Sequence, residues 1–449
     1  MMKLISTTHK QLSKRRAEQR VLEVRVICGF DKTRTKDIMM QDTSSPGVDD
    51  TLVCVSCYND FVSLAHKPRG TPAKQSLYCY HLDIHDGSLT LLSVNDQATN
   101  PAFSRYDART RTLYTCTEFC EKNGELYSFK MDGETGAMTL MSKQCAKGTS
   151  TCYITFDKAR KKMLLVNYWD SSLTTLPLSK DGSAGPSIFQ LSSERSRKTH
   201  ADALKHVDHA SNSKDAIKER QMDPHFHALV FDPVMGAIAY VPDLGMDVIR
   251  QFLYDPEKGS LVAVGKFPSG PGTCSPHGPR YLEFHRTLPI CYVINELSSV
   301  VSVFRIDQQA MKEVASGKGK VTKPTLVPIQ NTSTLPAAFP RKLNTCGRIC
   351  VHPSGWFVVV SNRGHDSLSI FKVVQNGEAA GTLCSVSFTH TRGQTPRHFA
   401  FDRSGQWLLV ANQDADNVSI FEFQFSTGRM KYTGNTYSIP SPNFVCMCS

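Results

Sequence analysis

An uncharged apolar run approaching the ~18 residues of a membrane-spanning helix is missing from this 449-residue sequence, whose longest strong one is Trp356 to Val360. That removes the grounds for a helical membrane protein. No Gly-rich phosphate loop stands at a strand–helix junction and no nucleophile elbow occurs, so P-loop and α/β-hydrolase chemistry have no support. No secretory apolar segment precedes the cysteines either. They number 15, an odd and scattered set that reads as reduced thiols in a cytoplasmic protein rather than a disulfide framework.

What is present is enough to fold. Hydrophobic residues make up 40% and charged residues 21% of the chain, which can bury a sizeable core. The 52 Lys and Arg exceed the 41 Asp and Glu, giving +11. This moderate excess favours an anionic partner without indicating nucleic acid. Much of the basic character sits at the start, where Lys3, Lys10, Lys14, Arg15, Arg16 and Arg20 face the single Glu18. Residues 1–50 are expected to be a disordered extension and linker, although the same pattern also fits a mitochondrial presequence.

An internal repeat organises residues 51–449. Six segments share one layout, ending their first β-rich run at Tyr106, Phe156, Phe231, Phe284, Val351 and Phe401. Twelve residues after these anchors the second runs end at Glu118, Tyr168, Asp243, Glu296, Arg363 and Gln413. The anchors are 50, 75, 53, 67 and 50 residues apart. Each unit holds four strand-like runs separated by small turn residues, as in His398–Phe401, Trp407–Ala411, Asn417–Phe423 and Met430–Asn435. A four-stranded unit of about 40 to 50 residues, repeated, means an all-β propeller.

The seventh blade comes from both ends. Leu52–Tyr58, Leu77–Leu82 and Ser88–Ser93 supply its second to fourth strands, and Asn443–Cys448 its first. That pairing closes a ring of seven four-stranded antiparallel blades and removes two unpaired edges. Two insertions, about 191–222 and 308–340, are expected as surface loops, the first over one mouth of the propeller.

The repeat also predicts where chemistry would sit. The start of the first strand and the end of the second lie at the same face of a blade, beside the axis. Four residues before the anchors stand Ala102, Cys152, His227, Arg280, Gly347 and Arg397, an inner ring. Twelve after them stands the outer ring Glu118, Tyr168, Asp243, Glu296, Arg363 and Gln413, with Tyr58 from the split blade. Several guanidinium groups around one mouth suit carboxylate or phosphate, and a carboxylate among them could carry a proton if burial tunes it. The alternative is that these charges only pair with one another and join the blades.

Other features carry less. His225-Phe-His227 could offer two imidazoles to a metal, but no Cys or carboxylate cluster is nearby and no metal is expected. Cys54-Val-Ser-Cys57 lies within one strand, where positions three apart face opposite sides. Asp170, Asp366 and Asp416 are expected to make turn hydrogen bonds.

At these residues the sequence resembles the seven-bladed β-propeller lactonases, with their 6-phosphogluconolactonase and 3-carboxy-cis,cis-muconate-cyclising branches. The matching stretches include Arg220-Gln221 with Pro224-His-Phe-His227, Tyr240-Val-Pro-Asp-Leu-Gly245, Gly278-Pro-Arg280 and Tyr292-Val-Ile-Asn-Glu-Leu-Ser-Ser299. Ser361-Asn-Arg-Gly-His-Asp-Ser367, Pro396-Arg-His-Phe399, Asn412-Gln-Asp-Ala-Asp-Asn417 and Ile439-Pro-Ser-Pro442 complete them. Where the family carries an acidic residue, Ile and His ahead of the Ser-Asn-Arg-Gly strand, Arg348-Ile-Cys350 stands here. The resemblance implies a cytoplasmic enzyme acting on a phosphorylated or carboxylated lactone without a redox cofactor. It places the chemistry at His225 or His227, Arg280, Glu296 and Arg363, all but His225 already on the two rings.

Three functions are thereby expected in order. The first is a lactone hydrolase, with Arg280, Arg363 and Arg397 on the anionic group and Glu296 or His227 activating water. Asp243, Glu118, Tyr168, Gln413 and His225 would complete its substrate contacts. The second is a cyclase or isomerase with Glu296 moving the proton. The third is a non-catalytic propeller that binds partners through its faces.

Overall fold

The computed structural model describes residues 51–193, 214–272, 276–317 and 324–449. The extension 1–50, and with it any presequence, lies outside the described residues, as do the basic positions from Arg195 to His209 in the first insertion. The described strands form seven four-stranded antiparallel sheets. No helix among the described residues is long and apolar enough to cross a membrane.

Each sheet follows the chain from its innermost to its outermost strand, with one exception. The blade built from Leu52–Cys57, Leu77–Leu82 and Leu89–Asn95 takes Pro442–Met447 as its innermost strand. Cys54 pairs there with Cys446 and Val55 with Val445. The ring therefore closes as expected.

Blades pack face to face, so their second strands are buried on both sides. Leu52–Cys57, Ile290–Asn295 and Trp407–Asn412 contain no exposed residue. Alternation then sends neighbours to different interfaces. Ile290, Tyr292 and Ile294 enter one apolar cluster, Cys291 and Val293 another. Cys54 and Cys57 part in the same way, which makes their CxxC spacing a packing feature.

A buried asparagine ends four of the second strands and ties blade to blade. Asn362 Nδ2 donates to the Thr334 carbonyl of the preceding blade (2.9 Å), to Ser367 Oγ (3.2 Å) and to Ser369 Oγ (2.8 Å). Asn167, Asn295 and Asn412 repeat this on Ala146, Ser269 and Thr391. Aspartates in the following turns add a second tie. Asp366 accepts from Thr395 N (2.8 Å), Asp416 from Ser441 N (2.8 Å) and Asp170 from Thr149 N (2.6 Å). These carboxylates bridge blades rather than merely closing their own turns: Asp366 and Asp416 reach the N–H groups just before the next blade's inner strand, and Asp170 reaches the end of the preceding blade's outermost strand.

Two expectations need correction. Residues 308–340 are not a plain surface loop: they contain helix α2 (Gln308–Ala315, counted after α1, Lys214–Arg220) and the outermost strand Leu326–Ser333. Asp307 caps α2 by accepting from Ala310 N, and Ala310, Met311 and Val314 are buried along one side. Nor does the first strand of the fourth blade run the length of the others. Only Val230–Phe231 pairs regularly, because Pro242 in the facing strand Ile238–Asp243 has no N–H to continue the ladder.

The asparagine ties allow a direct check. Asn362→Ala removes one of the two donors to the buried Thr334 carbonyl, leaving Ser369 Oγ, and takes the amide donor from the Ser367 and Ser369 hydroxyls, so unfolding free energy should fall by about 1–2 kcal/mol. A urea midpoint within error of wild type would show that the tie contributes little.

Candidate active site

The inner ring is built by bulges. Strand pairing skips Ala102, Cys152, Arg280 and Arg397 where each innermost strand starts. It also skips Asn443 in the split blade and both Gly347 and Arg348 in the sixth. A bulged residue leaves the ladder and turns its side chain, here toward the axis. Prolines 101, 279 and 396 precede three of them, at the first strand position that tolerates a missing N–H. The outer ring follows from the asparagine ties, since Tyr168, Glu296, Arg363 and Gln413 each come directly after one.

Together the rings line an open cleft at one mouth. Glu118, Tyr168, His227, Arg280, Glu296, Arg363, Arg397 and Gln413 all border it. A smaller chamber continues below toward Tyr281, His398, Asn443 and Phe444. In its lining His398 stacks on Phe444 at 3.8 Å, and Phe444 packs in turn on Phe103 at 4.4 Å, which lies 4.4 Å from Tyr153.

Glu296 is the centre of charge. Its Oε1 lies 2.6 Å from Arg220 Nη2 and 2.9 Å from Arg363 Nη2. Its Oε2 lies 3.3 Å from Arg280 Nε and 4.0 Å from His227 Nε2. Burial alone would raise this carboxyl, but Arg220, Arg363 and Arg280 overcome it and hold the group well below the usual carboxylate range. Glu296 is thus held as an anion at the centre of the cluster. Burial, with repulsion from Arg280, Arg397 and Arg220, outweighs Glu296 at Arg363 and pushes that guanidinium down to about 10. Too few carboxylates serve these cations. Arg280 Nε and Arg363 Nε are buried without a hydrogen bond of good geometry.

His227 is the titratable group suited to the other role. Burial, then Arg280, pull its imidazole well below 6.5, so it is neutral. Arg280 Nη1 lies 3.2 Å from its Nδ1, and Cys152 Sγ lies 3.8 Å from the same nitrogen.

A second carboxylate occupies the far side. Tyr58 donates its hydroxyl to Glu118 Oε2 (2.8 Å), and Arg397 Nη2 stands 3.8 Å from that oxygen. His66 Nδ1 faces Glu118 Oε1 at 3.9 Å, with its ring edge-on to Tyr58.

Two predicted contacts lie elsewhere. Asp243 turns away from the cleft to hold Arg250 (2.7 Å) and to accept from His225 N (2.8 Å), because Arg250 on the adjacent strand competes for it. His225 lies flat against Tyr168 at 4.6 Å, fully buried behind the wall. Among the described residues no group of three or more His, Cys, Asp or Glu side chains could hold a metal. Arg348 lies off the mouth, paired with Glu283 at 3.6 Å.

Sequence reasoning missed three site residues. Arg220 arrives on α1 from the first insertion, and His66 and Lys67 on the long loop after Leu52–Cys57. The Arg220-Gln221 motif was a signal for the first; nothing repeated marks the other two, which belong to one blade alone.

A model of the lactonase, 7-bladed beta-propeller family matches residues 55–447. The chain belongs to the seven-bladed β-propeller lactonase family. Among its relatives, a 6-phosphogluconolactonase of Bacillus subtilis (strain 168) is 29% identical over 374 residues, 83% of this chain and 94% of that protein. A 6-phosphogluconolactonase of Formosa agariphila is 26% identical, over 82% and 93%. The structure of the periplasmic gluconolactonase of Pseudomonas aeruginosa matches with a TM-score of 0.70 at 25% identity, covering 88% of this chain and 98% of that one. The propeller is therefore that of a lactonase, with 6-phosphogluconolactonases among its relatives.

Two outcomes follow from the site. Glu296→Ala leaves three buried guanidinium groups uncompensated and should cost about 3–5 kcal/mol of stability, read as a lowered denaturant midpoint. His66, His227 and His398 are all held well below 6.5, chiefly by burial. The unfolded chain therefore binds more protons just below 6.5, so stability is full above that pH and declines as pH falls through it. Midpoints at pH 7.5 and 5.5 check this, and His398→Gln should flatten the slope.

Proposed function

We propose that the mouth hydrolyses a sugar-acid lactone such as 6-phosphogluconolactone. The observation that carries this reading is the excess of guanidinium groups fixed around Glu296 beside a neutral imidazole. In this reading the guanidinium groups of Arg280 and Arg363, which border the cleft, stabilise the negative charge that a lactone carbonyl gains, and such preorganised donors are worth several kcal/mol in the barrier. Arg397 and the outer cations hold the substrate's anionic group. His227, relieved of the Arg280 donor once that guanidinium turns to substrate, takes a proton from water. The resulting hydroxide adds to the carbonyl, the tetrahedral oxyanion collapses with cleavage of the ring C–O bond, and the leaving alkoxide recovers the proton from His227. Lactone and water give the open hydroxy acid, with no redox partner in the balance.

The muconate-cyclising alternative is less well supported, since it asks Glu296 to release and accept a proton while three guanidinium groups keep it ionised. A partner-binding propeller would need neither the crowded cations nor their cost to stability.

The test is lactone opening followed by acid release in weakly buffered solution. Wild type should exceed the spontaneous rate on phosphorylated glucono-δ-lactone, and His227→Gln should lower kcat by about 10²–10⁴. Wild-type protein no faster than the buffer blank across a panel of sugar-acid lactones would overturn the proposal.

A further inference from the structure

Below the cleft, the smaller chamber is lined by two polar side chains that hydrolysis as set out above does not use, His398 and Asn443. Among the described residues His398 Nε2 and Asn443 Oδ1 have no hydrogen-bond partner. Both side chains are almost closed to solvent, His398 at 5% exposure and Asn443 at 2%. A buried donor or acceptor is costly to leave unmet, so two of them at one chamber point to something bound there.

The closing strand Pro442–Met447 decides which of these atoms donates. As the innermost strand of its blade it has no neighbour on the axial side, and the N–H of Val445 donates to His398 Nδ1 (3.2 Å). Burial, followed by repulsion from Arg348, Arg105, Arg280 and Arg397, keeps that imidazole neutral. A neutral ring whose Nδ1 accepts carries its proton on Nε2. His398 Nε2 is therefore a donor, on a ring whose plane is set by its stack on Phe444. Asn443 Nδ2 donates to the Pro101 carbonyl (2.9 Å), which leaves Oδ1 as a free acceptor. Three consecutive residues, Asn443, Phe444 and Val445, thus prepare one donor and one acceptor.

The size of the chamber then names the ligand. The second and third blades place only Ala102 and Cys152 at its wall, where others bring His227, Arg280 and Arg397. The space those short side chains leave is no more than one water needs. A water also fits the polarity, since its oxygen can accept from His398 Nε2 while one hydrogen goes to Asn443 Oδ1. For the second hydrogen the same wall offers the neutral imidazole of His227.

We infer that His398 and Asn443 are positioning residues that hold the attacking water beneath the lactone, with His227 as its base. The inference rests on the hydrolytic reading of the cleft and adds the place of its nucleophile. The water oxygen forms the bond to the carbonyl carbon, one proton passes to His227, and the other stays on that oxygen against Asn443. One lone pair is taken up by His398, so the remaining one is directed before attack begins.

The experiment uses the full chain. A crystal structure should show one water within about 3.2 Å of both His398 Nε2 and Asn443 Oδ1. Ala102→Val narrows the chamber and leaves both partners in place, whereas His398→Phe removes the donor and keeps a ring on Phe444. On whichever of glucono-δ-lactone and 6-phosphoglucono-δ-lactone wild type opens faster, each variant should lower kcat by about 10–100-fold with KM unchanged. No water touching both atoms, wild-type kcat in either variant, or a KM that rises in step with the loss of kcat would overturn the inference. An active wild type without that water leaves hydrolysis standing and refutes the water site. If wild type opens neither lactone, yet the water is present and Ala102→Val expels it, hydrolysis fails and the water site stands.

Discussion

The hydrogen bond from a buried asparagine at the end of a second strand to the outer rim of the preceding blade is the constraint on which the mouth depends. A propeller blade is a small sheet that cannot stand alone, so its orientation is set by its neighbours. Apolar packing between faces is strong but tolerates sliding. Asn167, Asn295, Asn362 and Asn412 prevent that at the rim, because a displaced amide would give up several buried hydrogen bonds at once. The following residue then has one direction left to point. Tyr168, Glu296, Arg363 and Gln413 reach the axis for that reason, not through any local preference of their own.

Into this frame the chain places more positive charge than it neutralises. Glu296 offsets part of it, yet Arg363 remains under repulsion from three other arginines. Such crowding is unfavourable for folding, and a rigid ring of blades can bear it. On the proposed hydrolytic reading, the donors would be oriented before a substrate arrives, the arrangement that lowers a barrier passing through an oxyanion.

Much of this was legible in the sequence because a repeat converts spacing into geometry. The twelve-residue interval found the outer ring, and the four-residue offset found the inner one, including Arg280, Arg397 and His227. It failed where local chemistry overrides equivalence. Asp243 occupies an outer-ring position but has Arg250 beside it, and the ion pair draws it off the mouth. His225 was given a substrate contact, but stacking on Tyr168 holds it behind the wall. Asn443 was invisible as an inner-ring residue because the split blade reaches it from the far end of the chain. Arg220, His66 and Lys67 lie on segments that break the repeat, so no period could point to them. Composition misled at residues 308–340, where Lys, Gly and Thr around α2 masked a short capped helix and a regular outer strand.

The packed rings of Phe103, Tyr153 and Phe444 have a consequence for traffic. They crowd together at the smaller chamber, which Phe444 lines. On the hydrolytic proposal, product leaves by the open cleft, past the cationic collar. If the mouth opens a lactone as proposed, ring opening adds a carboxylate to the molecule that must depart, so a collar that favours the reactant would also detain what it becomes.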